Sequence, residues 1–344
     1  MRASDKVLSG LTLALLGALG STSCVPGSKP VPFAAMRAEA STRQGEAYLE
    51  KENLDAALAE FEKAIDLNPC LPPAHAGAGR VYLKKGDLKK AAAALAQAVR
   101  LDPGSFENAC SLGEVYQRLA RFADAVRAYL HACELQPEHA DARLNLGVCY
   151  HQGGDLENAM ACYRQAAELA PQDPRPYANL GVIYDARGNL YEAIHAFNES
   201  LERDPDQPMV LVNLATTMIR QERFARAREA LQQALERQPD LAVAYERMGY
   251  CYFRERLYKE ALSRYEWAAT LDPRMAEAFA GLGVVRMAMH LEQPADLELR
   301  RQAVEDWHRS LELKPDQPRI RRLVEKYSLA GSAAAVPPVL LGTP

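Results

Sequence analysis

Covalent or metal chemistry requires thiols, imidazoles, hydroxyls or carboxylates at a spacing that brings them to one point. This chain of 344 residues holds seven Cys and seven His. The histidines (His75, His131, His139, His151, His195, His290, His308) share no common spacing, so no metal set or general base is built from them. Solvated or helix-capping imidazoles are expected instead. No G-x-S-x-G, Walker loop, H-E-x-x-H or C-x-x-C occurs. Gly77-Ala78-Gly79 lacks the third glycine of a dinucleotide loop. Asn198-Glu199-Ser200 has glycosylation spacing but sits in a helical pattern and carries no argument. The residues therefore point away from an enzyme, and no metal, cofactor or small-molecule substrate is expected.

One cysteine has a local context. Residues 1–23 join a charged start, Arg2 and Lys6, to an uncharged apolar run from Val7 to Gly20 and then small residues, the order of a secretory signal peptide. That run is 14 residues. A bilayer core needs about 20, so a spanning helix is not expected. Gly20-Ser21-Thr22-Ser23-Cys24 resembles the relaxed bacterial lipobox, which implies that Cys24 is lipidated and becomes the first mature residue. The alternative is cleavage near Ser21 or Ser23 with Cys24 incidental. Either way the protein is exported. By analogy with the enterobacterial sorting rule, Val25 rather than Asp after the cysteine implies an outer-membrane lipoprotein facing the periplasm, a soluble periplasmic or secreted form being the alternative. Residues 24–37 form the lipidated cysteine and its tether; Pro26, Pro30 and Pro32 make it semi-extended, reaching on the order of 35 Å.

The elements behind these residues follow from composition and period. Hydrophobic residues make up 48% and aromatics 7% of the chain, a balance that favours close-packed helices over a sandwich of strands. Net charge is −4, so no broad basic field exists to hold nucleic acid or an anionic membrane surface. Contact with a membrane is expected through the N-terminal lipid only. Pro69, Pro103, Pro137, Pro171, Pro205, Pro239 and Pro273 are spaced 34 residues apart. Between them one pattern returns: Leu112-Gly113, Tyr116, Ala125, Tyr129, Ala132, then Leu146-Gly147, Tyr150, Ala159, Tyr163, Ala166, then Leu180-Gly181, Tyr184, Ala193, Phe197, Ser200. This resembles the tetratricopeptide repeat over residues 38–315.

The pattern also makes physical sense. Gly79, Gly113, Gly147, Gly181 and Gly249, with Ala215, let the first helix of each repeat approach its partner, and the recurrent Tyr and Leu fill the space beside them. Ala57, Ala91, Ala125, Ala159, Ala193, Ala227 and Ala261 do the same from the second helix. Gly86-Asp87, Gly154-Asp155 and Gly188-Asn189 form the turn, with the Asx side chain capping the next helix, and the recurrent proline ends the second helix. The resulting expectation is an all-α, right-handed α-solenoid. Its repeats are 38–71, 72–105, 106–139, 140–173, 174–207, 208–241, 242–275 and 276–317, the last carrying eight inserted residues near His290 to Leu297. Residues 318–330 form a capping helix and 331–344 a mobile tail.

If Cys24 is lipidated, Cys70, Cys110, Cys133, Cys149, Cys162 and Cys251 remain, an even number that permits disulfides in an oxidising compartment. Cys133 and Cys149, on neighbouring helices of successive repeats, are the most plausible pair. Cysteine is equally a small core residue, and free, buried thiols are the favoured expectation.

The resemblance implies that the second, fifth, sixth, ninth and twelfth places of each repeat face a concave groove. Asn145, Asn179 and Asn213 then form a ladder whose amides match the donors and acceptors of an extended peptide. Leu144, Val148, Val182, Val212 and Ile219 lie between them, Tyr250 and Phe253 follow, and Arg247 is available to a carboxylate. Asn as solvated repeat filler is the alternative. A chaperone-tail clamp is not expected, because Ala178, Val182 and Met209 stand where it needs Lys or Arg. The function implied is a non-enzymatic scaffold in the bacterial envelope that binds protein partners, envelope complex components, and assists assembly of a secretin, type IV pilus or motility complex. The alternatives are an adaptor for cell-wall enzymes, a non-catalytic subunit of an envelope enzyme or polysaccharide complex, and an architectural homo-oligomer.

Overall fold

The computed structural model describes residues 32–328. The signal peptide at 1–23, Cys24, the tether up to 31 and the tail at 331–344 lie outside them. The described residues form seventeen helices and no strand. They pair as α1 Pro32–Glu50 with α2 Leu54–Leu67, α3 Pro72–Lys84 with α4 Leu88–Leu101, and α5 Phe106–Arg118 with α6 Phe122–Leu135. Next come α7 Ala140–Gln152 with α8 Leu156–Leu169, α9 Arg175–Ala186 with α10 Leu190–Arg203, and α11 Pro208–Arg220 with α12 Phe224–Arg237. The series ends with α13 Ala242–Arg254 and α14 Tyr258–Leu271, α15 Ala276–Glu292 and α16 Leu297–Leu313, and a single α17, Pro318–Ser328. Contacts divide the described residues of this all-α solenoid into two compact units, 32–135 and 136–328, which are described separately.

Each helix starts and stops for local reasons. Asn53, Asp87, Ser105, Asp155 and Asp296 accept a backbone N–H at their helix N-terminus, and His139 does so with its imidazole Nδ1. Asn189 departs from expectation: no side-chain bond caps α10. The second helices end two residues before the recurrent proline, at Leu67, Leu101, Leu135, Leu169, Arg203, Arg237, Leu271 and Leu313. The residue next to that proline is pushed out of the helical region, as at Asp204 with φ −141° and ψ 105°. Residues 32–37 correct the tether assignment. They are the opening of α1, because Pro32 stands at a helix start, where its missing N–H costs nothing.

In both units one packing unit repeats. Ala57, Ala91, Ala125, Ala159, Ala193, Ala227, Ala261 and Ala303 are completely buried on the second helices. On the first helices a glycine lies against a large side chain of its partner. A Cβ at Gly147 would stand 2.7 Å from the Tyr163 ring, at Gly181 2.6 Å from Phe197, at Gly113 2.8 Å from Tyr129 and at Gly249 2.9 Å from Tyr265. Such distances exclude a side chain unless the ring moves, so glycine here is a packing requirement.

The last repeat absorbs its eight extra residues in three places. α15 and α16 each have 17 residues, against 13 and 14 in α13 and α14, and the turn between them gains one. α17 then lays Ile320, Leu323, Val324 and Tyr327 against Trp307 and Val284. None of Cys110, Cys133, Cys149, Cys162 and Cys251 is in a disulfide, so the Cys133–Cys149 pairing does not form. Cys70 is exposed in the turn after α2, so the expectation of a buried thiol does not hold for it.

Candidate functional site

The first helices α7, α9, α11, α13 and α15 of the second unit carry the implied groove. Neighbours along this row are tied by polar bridges. Arg175 of α9 reaches Asp141 of α7 at 2.5 Å. Arg220 of α11 pairs with Asp185 of α9 at 2.8 Å, and Asp185 also accepts from Thr217 Oγ1 at 2.8 Å. Arg254 of α13 bonds Glu222, beyond α11, at 2.8 Å. Such clamps are worth about 1 kcal/mol or less each where exposed, but they fix which faces of adjacent helices look the same way.

Asn145, Asn179 and Asn213 fall in the middle of α7, α9 and α11 and are half-buried. Their side chains make no hydrogen bond among the described residues, so three amides of mixed donor and acceptor character are left to solvent or a ligand. Val148 and Val182 are half-buried beside them, packed at the margins of the core. Tyr250 is half-buried, its hydroxyl accepting from Arg254 at 2.9 Å, and Phe253 lies 5.9 Å from the Tyr258 ring.

Leu144, Val212 and Ile219 correct the groove assignment. They are 4%, 3% and 5% exposed and sit in the interior. Leu144 packs with Ala159, Tyr163, Leu180 and Ile183; Val212 and Ile219 join Leu231 and Met248. Their branched side chains contribute about 1.5–3 kcal/mol each by burial. Arg247 is half-buried, its Nε 3.4 Å from Glu246 Oε2.

Glu246, absent from the sequence-derived groove, is the residue that reasoning from types missed. It is only 8% exposed on α13, and burial pushes its carboxyl up, opposed by Arg247. Glu277 on α15 is held below the usual carboxylate range, first by its hydrogen bond to Lys314 at 2.9 Å and then, against burial, by the Lys314 and Arg247 charges. The bridging pairs were legible in principle. Asp141 and Arg175, Asp185 and Arg220, and Glu222 and Arg254 are opposite charges 32 to 35 residues apart, the separation that sets equivalent places of adjacent repeats side by side.

The histidines act locally. His75 and His131 bond the carbonyls of Pro69 and Pro103 at 2.8 and 2.7 Å, and His139 caps α7. Among the described residues no group of His, Cys, Asp or Glu is arranged to hold a metal, and no helix is long and apolar enough to cross a membrane. A cavity of about 490 Å³ at Glu222, Arg223, Phe224 and Glu255 is framed by charges already paired, Arg228 with Glu255 and Arg254 with Glu222.

Tetratricopeptide repeat profiles match residues 42–106 and 110–174, and a further one residues 185–246, together more than half of the chain. No curated protein sequence matches. Among solved structures, the APC/C heterotetramer Cut9–Hcn1 aligns with TM-score 0.57 at 17% identity, over 80% of this chain and 52% of that one. A tetratricopeptide repeat protein from Parabacteroides merdae ATCC 43184 aligns with TM-score 0.56 at 17% identity, over 73% and 99%. Both are likenesses of fold. YrrB, a TPR protein with an unusual peptide-binding site, aligns with TM-score 0.47 at 25% identity, over 58% and 99%.

Proposed function

The chain belongs to the tetratricopeptide repeat family, whose members generally mediate protein–protein interactions, and from that premise we propose that its second unit binds extended segments of partner proteins along α7, α9 and α11. One observation carries the reading: Asn145, Asn179 and Asn213 recur at the same place of three successive repeats, half-exposed and without a hydrogen-bond partner among the described residues. A carboxamide both donates and accepts, as a peptide unit does, so a ladder of three can hold a backbone regardless of its side chains. Val148 and Val182 supply apolar surface between the rungs. The fold is typically non-catalytic, and no covalent step is assigned to it.

The N-terminal sequence supports a place for this activity. A signal peptide ending at Cys24 would put the scaffold on the outer membrane facing the periplasm, where its partners would be components of an envelope assembly such as a secretin, type IV pilus or motility complex. Crosslinked pull-down compares wild type with the Asn145→Ala, Asn179→Ala, Asn213→Ala variant. Loss of the partners is expected, and equal yields from both would sink the groove reading. Cys24→Ser is expected to release the protein from membranes; continued retention would remove the lipid anchor from the proposal.

A further inference from the structure

One place along the row of first helices breaks its own column. Where α7 has Leu144, α9 Ala178, α11 Val212 and α15 Ala280, α13 has Glu246. At this place Leu144, Val212 and Glu246 are 4%, 3% and 8% exposed, and Ala178 and Ala280 are half-buried. An apolar residue fills it four times out of five, so the fold does not require a carboxylate there. A buried carboxylate is costly unless it is paired and hydrogen-bonded.

Glu246 is poorly provided for. It makes no hydrogen bond among the described residues. Its one close cation is the adjacent Arg247, whose Nε at 3.4 Å lies within ion-pair distance but makes no hydrogen bond and is itself a buried donor without a partner. Neighbours on a helix point about 100° apart, so Arg247 meets the carboxylate from the side rather than with its fork. Its charge is also shared with Glu277 on α15. Burial accordingly dominates over Arg247 and pushes the Glu246 carboxyl upward. The carboxylate lies one repeat beyond Asn213, so a segment that follows the asparagine ladder reaches it next.

We propose that Glu246 is the seat for a basic side chain, lysine or arginine, of the extended segment held by Asn145, Asn179 and Asn213. This rests on the groove reading and adds the chemistry of the partner. Charge complementarity selects the occupant: a cation supplies both the missing donors and the missing charge. Adjacent packed helices lie about 10 Å apart and an extended chain advances about 3.3 Å per residue, so each repeat corresponds to roughly three residues of ligand. The motif therefore spans roughly nine residues, with its basic residue at the α13 end and near-neutral requirements elsewhere.

The test selects binders from a phage library of random dodecamers on the mature full chain, then measures the enriched peptides by fluorescence anisotropy. Wild type, Glu246→Gln, Glu246→Leu and the triple asparagine variant are compared, with circular dichroism melting as the folding control. Enriched peptides should carry a Lys or Arg. Glu246→Gln should weaken them about tenfold or more, and replacing that Lys by norleucine should cost as much on wild type but nothing on Glu246→Leu. Since Glu246→Leu restores the residue type of the column, it keeps the test decisive if the glutamine variant is poorly folded. Peptides that depend on the three asparagines but lack a basic residue, or bind Glu246→Gln unchanged, overturn the seat and leave the groove reading standing. Enriched peptides indifferent to the triple variant, or no enrichment at all, overturn both.

Discussion

Tyr163 is fully buried, yet its hydroxyl has no hydrogen-bond partner, and burial drives the phenol far above its ordinary range. Phe61 and Phe197 fill the same place in their own repeats with no polar atom to satisfy. Tyr163→Phe is therefore expected to stabilise the protein by about 1 kcal/mol, read as a raised melting temperature; a fall would mean that the hydroxyl is satisfied in solution. Backbone conformation gives a second case. Glu52, Ala120, Glu222 and Arg256 have φ of 57°, 55°, 57° and 60°, at the turn place that Gly86, Gly154 and Gly188 occupy in other repeats. The three glycines advertise the turn in the sequence. The four other residues hide it, because only the 34-residue period, not the residue type, marks them as left-handed. Ala120→Gly should relieve this strain and raise stability by about 0.5 kcal/mol, the gain being limited by the entropy of the unfolded glycine. An unchanged or lower melting temperature would count against strain there.

Between helices, the glycine and the large residue facing it behave as a pair. Gly147→Ala would gain about 1 kcal/mol of helix propensity, but its Cβ would meet the Tyr163 ring at 2.7 Å, and overpacking of that kind costs about 1–3 kcal/mol. Net destabilisation is expected, and a rise in melting temperature would show that the ring yields freely. The repeat built on α11 and α12 is the natural control: Ala215 replaces the glycine and Leu231 the aromatic, both completely buried. Ala215→Gly and Leu231→Tyr should each destabilise alone and compensate together, a coupling that a double-mutant cycle measures. Small-against-large was legible from the period. The length of α15 and α16 was not, because eight extra residues can enter a helical hairpin at either helix or its turn without disturbing the phase of Ala303, Trp307 and Ser310.

At the scale of the whole chain, the repeat period marks equivalent places but not their depth. Asn145, Asn179 and Asn213 are half-exposed, whereas Leu144, Val212 and Ile219 turn inward, since a helix turn carries side chains from surface to core within one or two residues. Depth also governs how the fold answers pH. Asp306 on α16 shares Arg286 with Glu266, at 2.5 and 3.1 Å, and burial lifts it to about 6 despite that charge. An acid raised in the folded state contributes stability that is complete below its unfolded value, about 3.9, and is lost as pH climbs through the folded one. Glu246, raised by the same cause, acts in the same sense. Opposing them on acidification is His151, lowered by burial, and, in more acid solution, Glu298 and Glu277, which are held low by their cationic partners. Asp306→Asn isolates one contribution from this sum. Melted at pH 5 and pH 7, the variant should gain on wild type between the two, by about 1 kcal/mol, because roughly half of the penalty on the buried carboxylate is already present at pH 5. A difference between the two proteins that stays constant across the interval would mean that Asp306 is already ionised in the fold at pH 5, and that Arg286 outweighs its burial.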